Sequence, residues 1–461
     1  MQLGIVEDEE LSRYVNAIGK KLASYSPRQD VEYEFRVVEM EEPNAFALPG
    51  GYVYISRGLL ALANSEAEVA NVIGHEIGHI AARHAAQRDT VQKAATILSI
   101  LGMAAAVATS GDGRAVAATQ YLGAGIVASY SREQERQADR VAIELAAKAG
   151  VDPGGMARFL KQLDNATRLK TGASRAPGFF DSHPATPERF AEATTRAQVE
   201  RWTPGFAIAP TRREFLERID GLVVGTAARA GVVRDNMFLH ADMGFALRFP
   251  PGWRQLNLRD RVLAVSPGGD AVTALELAGN GDDPRAAAAA YAREGQIGLQ
   301  DGTPIRIGDL RAFRARAAVR SGSAYIDALL TWVAFDGKIY LLTAGTPAGA
   351  FPKYDGILRS FARGFRPLRD DDLAKIDELR LRIVEAKAGD TLATLSQREG
   401  NAWDLNELAV ANALFVGDVL QEGQLVKIAR REPYAPAPPG ERPSSPTLPV
   451  QGPQQPPILE R

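Results

Sequence analysis

Apolar and polar positions change rhythm three times along this chain. From the start to about residue 220 apolar residues recur at helical spacing, broken by two strand-like runs, VEYEFRVVEM and GYVYISRGLL, which flank the turn-rich EEPNAFALPGG. Helical periodicity is clearest from Glu133 to about Arg168 and from Pro187 to Val199, with VDPGG as a turn between helices. From about Gly225 to Arg366 short alternating runs such as FALRFP, VTALEL and KIYLLTAG predict strands, interrupted by an Ala-rich helix at 285–293, so this part is an α/β or α+β module. A charged segment, LRDDDLAKIDELR, predicts a linker helix over 369–381. Residues 382–430 then read as strand, GDT turn, helix, second helix near Leu405 to Ala411, Gly-rich turns and final strand. Beyond Arg430 prolines crowd a segment that cannot bury a core, and 431–461 is expected to be a disordered or polyproline-like tail.

The expected units are therefore 1–225, 226–368, the linker 369–381, 382–430 and the tail, in an α+β chain. The most apolar stretches, 94–109 and 115–128, are separated by SGDGR and rely on Ala and Gly. Each is shorter than the roughly 20 residues that span a bilayer, so a helical hairpin or mobile lid is expected, with membrane insertion as the alternative. The sequence opens MQLGIVEDEE, without the charged and apolar regions of a signal peptide, as would a chain whose leader had been removed.

Composition narrows the chemistry. A formal charge of -2 gives no signal for nucleic acid or an anionic membrane. The absence of Cys excludes disulfides, thiolate metal sites and a Cys nucleophile, so any metal must sit on His, Asp or Glu. Three of the five histidines lie in VIGHEIGHIAARHAA, residues 72–86. Ser65 and Glu68 form a capping-box pattern that starts a helix at Glu66. His75 and His79 are then i and i+4 on one face and can converge on one ion, while Glu76 is placed to reach a water beside it without ligating. Gly74 and Gly78 each cost about 1 kcal/mol in a helix relative to Ala, which makes sense where another element approaches closely. A third, oxygen ligand is required, and in SREQERQADRVAIELA Glu135 and Asp139 are again i and i+4. Glu135 completes a two-His, one-Glu set with a position open for water. Asp139 can accept the other N–H of a ligand His and fix its tautomer. The expected cofactor is one zinc ion, with Glu76 taking a proton from water and passing it to the leaving amine.

HEIGH, the downstream EQERQAD, the upstream NAFALPGGYVYISRGLL and the later SHPATPERF together resemble the zinc metallopeptidase family that contains the CAAX prenyl proteases, the HtpX heat-shock proteases and the soluble periplasmic BepA-like enzymes. The likeness covers roughly residues 1–225. It implies a mostly helical, zincin-type metalloprotease domain with a small edge-stranded sheet, zinc on His75, His79 and Glu135, Glu76 as general base and Asp139 behind a ligand. Glu133 is the rival third ligand, but the family's ligand lies four residues before the Asp, which favours Glu135. The stretch from Asn44 resembles the family's edge strand, and Asn44, Ala45, Phe46 and Ala47 are expected to pair with extended substrate backbone. His183, in SHPATPERF, either donates to the tetrahedral oxyanion or occupies the open zinc position and holds the enzyme latent; the plain alternative is a loop His that caps the next helix. His84 falls about 140° off the metal face and reads as a surface or packing residue, and His240 as structural.

Residues 382–430 resemble a LysM module, through AGDTL, Asn412 in VANAL and GDVLQEGQLVKI; the resemblance implies binding of peptidoglycan or another N-acetylglucosamine-containing glycan, although some such modules mediate protein contacts. The stretch from FLHADMGFALRFPPGW faintly resembles PsbP-like domains. The function expected is a zinc metalloendopeptidase of the bacterial periplasm or cell envelope that degrades unfolded or misassembled proteins, held near the wall, with peripheral membrane association as a further option and no nucleic-acid partner. Two rivals stand beside it, an envelope assembly factor or chaperone with a latent protease site and a peptidase of peptidoglycan crosslinks.

Overall fold

Asp8 accepts a hydrogen bond from the Leu11 N–H (2.8 Å) and opens helix α1 (Glu9–Ala23), whose first turn is acidic and last turn basic, matching the helix dipole. Its Leu11, Tyr14, Val15, Ile18 and Leu22 recur at helical spacing and are all buried. The computed structural model describes residues 4–84, 130–169, 179, 183, 187–258, 261–321 and 324–436. The apolar stretches 94–109 and 115–128 and the chain beyond 436 lie outside these residues. Among the described residues no helix is long and apolar enough to cross a membrane.

Three strands follow α1: β1 (Glu34–Val38), β2 (Ala45–Leu48) and β3 (Tyr52–Ser56), in the order β1-β3-β2. β1 and β3 are parallel, and β2 folds back antiparallel on β3, which leaves β2 at the sheet edge. The hairpin turns at Gly50 and Gly51. Gly51 has φ +97°, and a Cβ there would lie 2.2 Å from the Glu32 carbonyl oxygen, so no other residue fits.

β3 runs into α2 (Arg57–Leu62) and then α3 (Glu66–Ala81), where Ser65 caps the helix as its sequence predicts. α4 (Arg132–Ala149) starts at a capping box formed by Ser131 and Gln134, and α5 (Gly155–Leu169), α6 (Pro187–Val199) and α7 (Arg212–Ile219) complete the helical part. α3 and α4 pack closely because α3 presents glycines: a Cβ on Gly74 would meet Ala142 Cα at 3.2 Å, and one on Gly78 the Ala138 carbonyl oxygen at 3.0 Å. Gly78→Ala gains about 1 kcal/mol of helix propensity but overpacks a backbone contact at a cost of about 1–3 kcal/mol. A lower denaturation midpoint is expected; a raised one would mean that α4 moves aside freely.

Residues 226–368 form antiparallel sheets. Seven strands, β8 (Arg254–Asn257), β9 (Arg261–Val265), β10 (Val272–Asn280), β11 (Leu299–Ile307), β12 (Leu310–Ser321), β13 (Ala324–Phe335) and β14 (Lys338–Pro347), lie in the order β11-β12-β13-β14-β10-β9-β8. Along β13 and β14 alternate residues serve opposite faces. Leu329, Val333, Tyr340 and Leu342 join Tyr354, Leu358 and Phe361 of α9 (Phe351–Arg363), whereas Leu330, Trp332 and Leu341 join Ala288 of α8 (Pro284–Gly295). With both faces covered the strands read as almost continuous apolar runs. A smaller sheet has the order β15-β7-β6-β5 (β5 Val232–Arg234, β6 Met237–His240, β7 Phe245–Arg248, β15 Phe365–Pro367). The module is thus α+β and antiparallel, without the parallel sheet of an α/β unit.

The expected linker helix over 369–381 is corrected. Only one turn, α10 (Asp370–Leu373), is helical, and β16 (Asp377–Glu385) begins at once. β16 pairs with β17 (Leu425–Pro433) on one side and with β4 (Val223–Val224) on the other, and these partners override the helix-forming composition of the segment. Between β16 and β17 lie α11 (Leu392–Glu399) and α12 (Leu405–Ala411), the strand, helix, helix, strand order read from the sequence. The tail also starts later than residue 431. Arg431 and Glu432 remain in β17, opposite Leu379 and Glu378, and the Tyr434 N–H donates to Ile376.

Candidate metal centre

The i, i+4 spacing on α3 and α4 brings His75, His79 and Glu135 together, and His183 arrives from the segment before α6. One ligand-type atom from each lies within 4.8 Å of all the others, and all four residues are buried. His79 Nε2 is 2.9 Å from His75 Nε2, His183 Nδ1 is 3.2 Å from His75 Nε2, and Glu135 Oε1 is 3.0 Å from His183 Nδ1 and 3.4 Å from His79 Nε2. The donor set of three imidazoles and a carboxylate fits zinc. Asp139 stands where the sequence predicts, accepting from His75 Nδ1 at 2.8 Å, which turns the Nε2 lone pair toward the cluster. Both oxygens of Glu76 are buried and accept no hydrogen bond among the described residues; Oε1 is 3.6 Å from His183 Nε2. Such a carboxylate has an open partner position beside the cluster.

Electrostatics sort these groups by neighbour. Burial raises the Glu76 pKa above the ordinary carboxylate range. Burial would also raise Glu135 and Asp139, but His183, His79 and His75 hold Glu135 below its usual value and Arg189 does the same for Asp139. Burial pushes His79 well below the usual imidazole value, while for His75 the Asp139 carboxylate outweighs burial and raises it.

Glu133, the rival ligand, faces solvent and pairs with Arg136 (2.8 Å) and Arg140 (3.2 Å). His84 is corrected: it is buried, with Nδ1 2.9 Å from His79 Nδ1 and Nε2 3.2 Å from Gln137 Oε1. An offset of about 140° holds only if α3 continues to residue 84, whereas the helix ends at Ala81 and Arg83 turns back at φ +56°. His240 accepts from the Met243 N–H and packs on Phe245, as a structural residue would.

Arg189 escaped the sequence reading. It donates to both Asp139 oxygens (2.5 and 2.8 Å), pairs with Glu135 Oε2 at 2.7 Å and reaches the His183 carbonyl at 3.3 Å. One signal was available, because a cation in the first turn of a helix opposes the dipole and must be held by something else. Tyr130 stacks on His79 with ring centroids 3.8 Å apart, and Phe179 on His183 at 4.3 Å, so aromatic faces close the cluster from two sides. The Phe179 N–H bonds to Pro43 O, joining this wall to the segment that leads into β2.

β2 lies against α3 at the sheet edge. Asn44 is not part of the strand: its N–H donates to Ser56 Oγ and its carbonyl accepts from the Ser56 N–H, so its backbone has nothing left for an incoming strand. Ala45, Phe46 and Ala47 are in β2, with Phe46 stacked on Tyr54 across the pair.

Residues 9–197 match the model of Peptidase family M48. The beta-barrel assembly-enhancing protease of Escherichia coli (strain K12) is 30% identical over 203 residues, 43% of this chain and 41% of that protein. The mitochondrial metalloendopeptidase OMA1 of Schizosaccharomyces pombe is 29% identical over 191 residues, 41% of this chain and 52% of that protein. The chain thus spans about half or less of the length of these relatives. The solution structure of cyanobacterial PsbP (CyanoP) from Synechocystis sp. PCC 6803 covers 30% of this chain at 12% identity, with a TM-score of 0.25 that is too low to bear on the fold. Motif order, the buried donor cluster and the matched residues agree, and this chain carries, over residues 9–197, a domain of peptidase family M48.

Proposed function

We propose that the chain is a zinc-dependent metalloendopeptidase of the bacterial cell envelope that degrades unfolded or misassembled proteins. The observation that carries this reading is the buried convergence of His75, His79, Glu135 and His183 beside the Glu76 carboxylate, which accepts no hydrogen bond among the described residues. Bound zinc would supply Lewis acidity and lower the pKa of a water molecule toward about 7. His75, His79 and Glu135 would hold it, with Asp139 fixing the His75 tautomer. Glu76, already raised by burial, would take the proton from the attacking water and return it to the leaving amine. The edge position of Ala45–Leu48 supports pairing with extended backbone, which a folded substrate rarely offers. The envelope setting rests on the E. coli relative's name, beta-barrel assembly-enhancing protease. Residues 382–430 would add wall contact as a LysM-like unit, where Phe415 (79% exposed) and Val419 (70% exposed) offer an apolar face to a glycan.

A second reading, latency, is favoured by His183. A fourth protein donor would close a position that a catalytic zinc site keeps open. The test is zinc content and casein cleavage on wild type and His183→Ala. Wild type is expected to hold one zinc and to lose cleavage on chelation; faster cleavage by His183→Ala makes His183 a block, and slower cleavage makes it a participant. A wild-type chain that binds no zinc would sink the peptidase reading.

A further inference from the structure

Lys427 is a fully buried amine whose side-chain partners all lie in another part of the chain; burial pushes it well below its ordinary pKa, and the Glu68 carboxylate opposes that shift. Its side chain leaves β17 and its Nζ donates to the carbonyls of Ala61 (2.8 Å), Leu62 (3.1 Å) and Ala63 (2.8 Å), which end α2. These three acceptors match the three donors the group has in its ammonium form. The next residue, Asn64, donates from Nδ2 to Ala411 O at the end of α12 and accepts from Arg212, which also donates to Leu425 O in β17. Ser65 then caps α3. Asn412 fixes the other side of the joint, accepting from the Lys427 N–H (2.7 Å) and donating to its carbonyl (2.8 Å). Leu381, Leu425 and Ala429 share one apolar core with Val69, Val72, Ile73 and Ile77 of α3, and Trp403 and Val410 pack against it. A module on a loose tether would show none of this.

We propose that the βααβ unit is an internal brace of the peptidase domain and that Lys427 is a positioning residue for α3. The corner it holds, residues 61–65, joins α2, which follows directly on β3, the partner of the edge strand, to the helix that carries His75, Glu76 and His79. Fixing that corner fixes the distance between a strand-bound substrate and the Glu76 carboxylate. The unit thus has an intramolecular task whether or not its exposed face also meets a glycan. The kinetic side of this proposal rests on the peptidase reading; the conformational side does not.

The test uses full-length Lys427→Met, an apolar side chain of similar reach, and the milder Arg212→Gln. Hydrogen exchange is expected to quicken over 61–72 while 326–344, in the middle sheet, stays as in wild type. In casein cleavage kcat is expected to fall about 10- to 100-fold with KM little changed, since a misplacement near 1 Å costs that much; Arg212→Gln is expected to lie between. Unchanged exchange over 61–72 in both variants would overturn the brace. Uniformly faster exchange with kcat falling only as the folded fraction would also overturn it, because Lys427 would then support stability alone. If neither wild type nor His183→Ala cuts casein, the peptidase reading fails and exchange alone decides.

Discussion

Glu76→Gln should keep about one zinc per chain and the wild-type fold, and should lose peptide cleavage by a factor of about 100 to 10,000, the range for removing a general base. The geometry supports both halves of this expectation. Glu76 makes no hydrogen bond among the described residues that the fold would miss, and an amide of equal size fits the same space. Exchanging a buried acid whose charged form is disfavoured by burial for a neutral group relieves that burial cost and gives up only the 3.6 Å approach of His183 Nε2, so Tm should stay close to wild type. Zinc content, Tm and cleavage rate measured on one preparation decide it. A variant that holds zinc and still cuts would move the base elsewhere; one that loses zinc would make Glu76 a ligand.

Arg189→Ala carries the largest expected cost in stability. The guanidinium is buried against Asp139 and Glu135 and touches the His183 carbonyl, so its removal leaves two buried carboxylates short of their cation. Breaking such a group costs about 3–5 kcal/mol, or roughly 10 °C in Tm for a domain of this size. Because Asp139 orients His75, zinc affinity should also fall about 10- to 100-fold. Arg189→Lys should recover little of either, since a point charge cannot span two carboxylates as a planar fork does. Thermal unfolding with and without added zinc, together with a competitive zinc titration, measures both terms. Wild-type zinc affinity in Arg189→Ala would show that Asp139 holds His75 unaided.

What could be read in the sequence was local. The Ser65 cap, the i, i+4 pairs His75/His79 and Glu135/Asp139, and the need for a close neighbour at Gly74 and Gly78 all follow from helix geometry within a few residues, and α3 and α4 bear them out. Arg189 lies fifty residues from Asp139 in sequence and Lys427 more than three hundred from Ala61, and no local pattern states such meetings. The burial of His84 against His79 was not legible because Arg83, two residues beyond the helix end, reverses the chain. The segment 377–381 was misjudged because its charged residues suit a helix, while Leu379 and Leu381, continuing by twos to Ile383 in the expected strand, all pack on the main core. Strand direction in the middle module was likewise invisible, since pairing is decided between distant runs.

The sheet β17-β16-β4 also sets an order in time. Val223 and Val224 leave the ribosome early, but their partners Leu379 and Arg380 follow only after the whole middle module, and Lys427 later still. Synthesis at about 5–20 residues per second therefore leaves α3 without its support for tens of seconds while its histidines and Glu76 are already made. A chain interrupted before β17 carries every group of the metal centre and lacks the lysine that holds the corner leading into it. Completion of the polypeptide becomes a step in maturation of the site.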